Sequence, residues 1–342
     1  MNIQKKLEKM GIIKVKELDH KQINNTAHDM ADKITNTFPI LQTSYNEILA
    51  KILNCKMYYA KISGNISKVN YIYEQNSIYI DEKLDIMKEN EQFFHEIIQY
   101  LQTIRKSNGK ILRMGLCEFN DFSINGLGIN QSMVQYISSK LMNNEEKEKQ
   151  INNIQLKTIS PNSYPLLTNL IQQIIYMIGE EEILQATLTI NYKFEDTFLN
   201  TFEEKTKEIY KNFDKMLEIK NKIYMQRNEN IKRNLIQKAC KIYIETQKII
   251  ISKYYNNIIA KLSTIQEIDL YKQKFLKHKE YMGTDKDIYQ FDTFYNEYKE
   301  IIMDKFEKQL FKIIKRNQKN ALVLYNNKFK NFFKKIMSFL LD

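Results

Sequence analysis

Apolar residues at Ile23, Ala27, Met30, Ala31, Ile34 and Phe38 recur every three or four positions, which predicts a helix that stops at Pro39. The spacing repeats through Tyr45, Ile48, Leu49 and Ile52 for a second helix over Leu41 to Leu53. From Met57 the period drops to two. Met57 to Ile62, Val69 to Tyr73 and Ser77 to Ile80 read as three short strands, with Ser63-Gly64-Asn65 and Glu74-Gln75-Asn76 as turns between them. Helical spacing returns over Glu91 to Gln102. That helix is expected to be capped by Asp81 or Asp85, to run to about Lys106, and to end at Ser107-Asn108-Gly109. Ile129 opens another helix, to about Leu141. Asn143 to Asn153, rich in Glu and Lys, reads as a solvated loop. A buried helix is expected from Leu166 to Ile178, ending at Gly179, with Glu180-Glu181-Glu182 at the next helix start, where carboxylates meet the positive end of the dipole. From about Phe194 to Leu341 helical spacing dominates, broken mainly near Met282-Gly283-Thr284-Asp285.

The pattern predicts an α+β chain, predominantly helical, with a small sheet in the first half and long helices in the second. With only 8 Gly and 3 Pro in 342 residues, a turn-rich all-β fold is disfavoured. Charge divides the chain as the periodicity does. Residues 221–342 carry 25 of the 52 Lys and Arg but only 13 of the 41 Asp and Glu, so the net charge of +11 belongs to the C-terminal part. Two domains are expected, residues 1–193 and 194–342. In the last segment, Phe311 to Leu341, basic residues from Lys312 to Lys335 alternate with aromatic and aliphatic ones. That pattern admits contact between residues 221–342 and nucleic acid, an anionic membrane surface or a protein partner, as well as a plain solvated bundle.

Three cysteines, Cys55, Cys117 and Cys240, are widely spaced and form no Cys-x-x-Cys pair. Neither a disulfide framework nor a thiolate metal site is expected, and a cytoplasmic location is the simplest. The first residues mix Lys with Glu and do not read as a signal peptide, and no apolar run approaches the length of a membrane span. A phosphate loop of the Gly-x-x-x-x-Gly-Lys-Ser/Thr type and a Gly-x-Ser-x-Gly elbow are both missing.

The stretch that carries candidate chemistry is Phe93-Phe94-His95-Glu96-Ile97-Ile98-Gln99. His95 and position 99 lie one turn apart on a shared helical face. A His-Glu-x-x-His helix places two imidazoles on zinc and a Glu beside the water it activates; here Gln99 occupies the second His position. About thirty residues on, Gly126-Leu-Gly-Ile-Asn130-Gln131 opens the next helix. Small sheet, motif helix, glycine-rich connection and second helix in this order, over Met57 to Leu141, resemble the gluzincin branch of the zinc metallopeptidases, the zincins. The resemblance implies metal ligands at His95, position 99 and position 131, with Glu96 as general base and zinc as cofactor. The chain departs from that pattern on the metal itself. Gln99 and Gln131 are neutral and weak as ligands, and Gln131 removes the only anionic one. The expectation is a metallopeptidase homologue that has lost catalysis and zinc and keeps a cleft for peptide or protein. A working peptidase with an atypical site and Glu96 as base is the alternative, and a non-enzymatic basic helical protein is a third. His278 in its Lys-rich segment, and Glu118 or Asp121 in the connection, are the other residues near enough in type to complete a site.

Overall fold

The computed structural model describes residues 3–64, 66–86, 88–119, 124–189 and 193–341, without the side chains of residues 3, 118, 119 and 333–341. It is 65% helical with small mixed sheets. A short helix α1 (Ile3–Lys9) leads into β1 (Ile12–Glu17), then α2 (His20–Thr37) and α3 (Tyr45–Leu53). Both of the latter start at capping boxes, in which Asp19 and Gln22, and Ser44 and Glu47, satisfy each other's backbone N–H groups. The strands β2 (Lys56–Ile62), β3 (Val69–Ile72) and β4 (Ser77–Asp81) follow as the period-two pattern predicts. The sheet has the order β1-β2-β4-β3, with β2 and β4 parallel and both outer pairings antiparallel. β3 is therefore an edge strand.

The candidate helix is α4 (Glu91–Leu101), and it is shorter than its periodicity suggests. Asn90, not Asp81 or Asp85, caps it by accepting from the Phe93 N–H. It ends at Leu101 because the chain turns into β5 (Thr103–Arg105), which pairs with β6 (Ile111–Met114). The Thr103 hydroxyl closes the last turn onto the Gln99 carbonyl, and Ser107-Asn108-Gly109 is the hairpin turn rather than a helix terminator. Short strands β7 (Glu118–Phe119) and β8 (Ile124–Asn125) precede α5 (Leu127–Leu141).

One strand has no counterpart in the sequence pattern, and one replaces an expected loop. β1 carries one buried side chain, Ile12, over exposed Lys, Val and Glu, too little alternation to stand out. The stretch expected as a loop after Asn143 forms β9 (Lys147–Ile151), paired with β10 (Ile154–Thr158) around Asn152 in left-handed backbone. The charged side chains of β9 face solvent, while Ile154, Leu156 and Thr158 of β10 turn inward.

The second half is helical: α6 (Pro165–Ile178), α7 (Glu180–Leu188), α8 (Lys193–Phe202), α9 (Thr206–Met225), α10 (Glu229–Lys261), α11 (Ile265–His278) and α12 (Phe291–Leu341). The main hydrophobic core runs without interruption from Leu18 to Ile313. Two contacts fix α9 against α5. The Asp214 carboxylate accepts the Gly126 N–H at 3.0 Å and the Gly128 N–H at 2.6 Å, capping α5 from another helix. A Cβ on Gly128 would lie 2.3 Å from the Phe213 carbonyl, so glycine there permits the helices to touch. Inside the bundle, Asn169, Gln173, Tyr243 and Gln247 bond to one another and to Gly283, which pins the break between α11 and α12 onto α10. Among the described residues no helix is long and apolar enough to cross a membrane.

Candidate functional site

Phe93, Phe94, Ile97, Ile98 and Leu101 sink α4 into the core, and the same rotation turns His95 and Glu96 toward α5 and the sheet edge. A cavity of about 480 Å³ opens there, lined among others by Glu91, His95, Glu96, Gln135, Tyr164 and Lys220. An apolar hollow of about 150 Å³ adjoins it, sharing Tyr164 and Lys220 and floored by Leu167, Met216, Ile223 and Ile236.

His95 Nε2 lies 2.9 Å from Gln131 Oε1, joining residues 36 positions apart. An amide oxygen only accepts, so this bond places the imidazole proton on Nε2. Nδ1 is buried without a hydrogen-bond partner. The ring stacks on Tyr164, with planes 4° apart and centroids 6.1 Å apart. Tyr164 precedes Pro165, which disfavours right-handed helical backbone, and it holds φ 55° at the start of α6. A left-handed conformation is unusual for a bulky residue and marks a position held by its surroundings. Lys220 Nζ sits 4.1 Å from the Tyr164 ring centroid.

Burial governs the charges. It pushes the His95 imidazole down to about 4, aided by the nearby Lys220 ammonium and opposed by hydrogen bonding to the Gln131 and Gln135 side chains. It pushes the Glu96 carboxyl up to about 8, although Glu96 Oε2 accepts the Tyr71 N–H of β3 at 3.0 Å. Burial also raises the Tyr164 phenol, to about 12, with Glu96 adding to the effect, and it lowers the Lys220 ammonium. Near neutral pH the floor of the cavity therefore carries a neutral imidazole and a mostly protonated carboxyl, with one ammonium at the wall.

Of the positions singled out in the sequence, His95, Glu96 and Gln131 come together. Gln99 is half-buried one turn along and does not line the cavity. His278 is buried elsewhere, its Nδ1 3.3 Å from the Tyr255 hydroxyl and its ring against Tyr176. Asp121 lies outside the described residues, as does the Glu118 side chain.

These residues do not fit a zinc ion. Opposite His95 Nε2 stands the Gln131 amide oxygen, a neutral and weak ligand that offers a metal ion no compensating charge. His95 Nδ1 lacks the acceptor that ordinarily orients a ligating imidazole. Glu96 is bound to the sheet edge, and among the described residues no three His, Cys, Asp or Glu side chains gather in a metal-holding group.

Tyr164 and Lys220 were not legible as site residues. The signal for Tyr164 was the Pro161-Asn-Ser-Tyr-Pro165 stretch, which forces irregular backbone. Lys220 resembles every other lysine on its helix. No family model, curated protein or solved structure matches the chain.

Proposed function

We propose that the chain is a metallopeptidase homologue that has lost its zinc and uses the remaining cleft to bind a peptide or protein segment. The observation that carries this reading is the His95–Gln131 hydrogen bond. The two positions that resemble ligand positions meet in space, and a proton joins them where a metal ion would. Gln is close in size to Glu and keeps the two helices at their spacing without a cation to hold. Peptide is the favoured occupant on three counts. The cavity has the size of a small-ligand site. Amide side chains line it, Asn70, Gln92 and Gln135 among them, and these pair with peptide groups. The adjoining hollow accepts an apolar side chain. Three buried, unpaired cysteines accord with a reducing, cytoplasmic setting.

Zinc analysis of the purified wild type beside a Gln99→His plus Gln131→Glu variant tests the reading. The wild type is expected to hold no stoichiometric zinc, and the variant to bind it at least ~100-fold more tightly. Stoichiometric zinc in the wild type overturns the lost-metal reading. If neither protein binds zinc, the kinship itself is wrong. A second reading, a working peptidase with Glu96 as base, is favoured by one observation: a carboxyl held at about 8 is matched to proton transfer near neutral pH. Casein hydrolysis that disappears in Glu96→Gln separates it from the first.

A further inference from the structure

The last helix does not end where the core ends. α12 packs through Phe291, Tyr295, Tyr298, Ile302, Phe306 and Ile313, and then continues with every described side chain from 314 to 332 exposed. That extension is roughly 28 Å long at 1.5 Å per residue. It is not a polar spacer. Phe311, Ile314, Leu322, Tyr325, Phe329 and Phe332 follow at helical intervals, which puts them on one stripe, with Gln318 as its single polar step. Phe311 is 65% exposed, Leu322 63%, Tyr325 66% and Phe332 60%. A stripe of this kind on a soluble surface marks something that covers it.

Charge decides what the cover is. Between Lys308 and Phe332 the helix carries Lys312, Lys315, Arg316, Lys319, Lys328 and Lys330 and no acidic residue. By helical position Lys315 and Lys319 flank the stripe on one side and Lys328 on the other, where long side chains bury their stems and hold their charge at a polar boundary. A second copy of the same helix would bring like charges together along its whole length, which disfavours self-association. A nucleic acid meets the lysines but provides no aliphatic interior for Leu322 and the phenylalanines. An anionic lipid surface satisfies both faces at once.

We propose that residues 311–332 of α12 form a lipid-docking helix that lies in the interface of an anionic membrane, with the Phe311–Phe332 stripe inserted and the flanking lysines at the headgroups. The helix lies on the bilayer and does not cross it, in keeping with its charge density. The proposal is independent of the cleft.

Flotation of the full chain with vesicles tests it, comparing phosphatidylcholine alone with phosphatidylcholine containing phosphatidylserine. The chain is expected to float with the anionic vesicles and to detach as salt rises from about 50 mM to about 500 mM. Leu322→Glu with Phe332→Glu should lower partition roughly a hundredfold, as the loss of two inserted apolar side chains implies. Because both positions are exposed, circular dichroism and the melting temperature of the variant should match the wild type. Failure to float with anionic vesicles overturns the proposal. So does partition unchanged in the Glu variant, and so does binding of an RNA or DNA oligonucleotide in place of vesicles.

Discussion

Replacing Glu96 by Gln isolates the electrostatics of the cavity floor. The amide keeps the size of the carboxyl and an oxygen to accept the Tyr71 N–H, and it cannot ionise. The folded-state pKa of Glu96 is raised, from 4.5 to about 8. Between those values the folded protein holds a proton that the unfolded chain has released, so stability falls as pH rises through the window. The window spans about 3.5 pH units at about 1.4 kcal/mol each, a ceiling of about 5 kcal/mol. Glu96 lines the cavity and is partly exposed to it, and water there screens the carboxylate. An effect of about 2–3 kcal/mol is therefore expected. Urea unfolding of wild type and Glu96→Gln at pH 5 and pH 9 measures it. The variant should match the wild type at pH 5 and exceed it at pH 9. His95 works in the opposite sense: with its pKa lowered to about 4, the folded protein loses stability as pH falls from 6.5 through 4, in both proteins alike. Wild-type and variant curves that stay parallel from pH 5 to pH 9 would refute the assignment of a Glu96 held protonated near neutral pH.

Two other perturbations probe what positions the site. Asp214→Ala removes the cap on α5 and should cost about 1–3 kcal/mol in urea unfolding, with Asp214→Asn recovering about half because one acceptor oxygen remains. Glu195→Ala removes the carboxylate paired with the buried Arg113 guanidinium and should cost about 2–3 kcal/mol by the same measurement.

The sequence made the sheet, the motif helix and the helical second half legible because each has a strong period and clear punctuation. What it hid was held by contacts between distant residues. α4 stops at Leu101 because Thr103 to Arg105 find a strand partner at Ile111 to Met114, a pairing that no local propensity announces. β9 is almost wholly polar, and its strand state rests on β10, where the Ile154, Leu156, Thr158 alternation was present but brief. In the sequence Gly126 and Gly128 read only as part of a glycine-rich connection. Their role is to bring backbone N–H groups to Asp214 and backbone against Phe213, residues more than eighty positions away. In the site, His95, Glu96 and Gln131 stood out because they fall on a known spacing. Lys220 could only be found by folding the chain, since nothing local distinguishes a lysine whose helix packs over a cavity.

The account turns on the proton between His95 and Gln131. Nitrogen-15 NMR of the histidine-labelled protein at neutral pH reads it directly. The account predicts a His95 ring protonated at Nε2 and bare at Nδ1, with resonances that do not move when zinc is added. A ring bare at Nε2, or one whose Nε2 resonance shifts in proportion to added zinc, would contradict it.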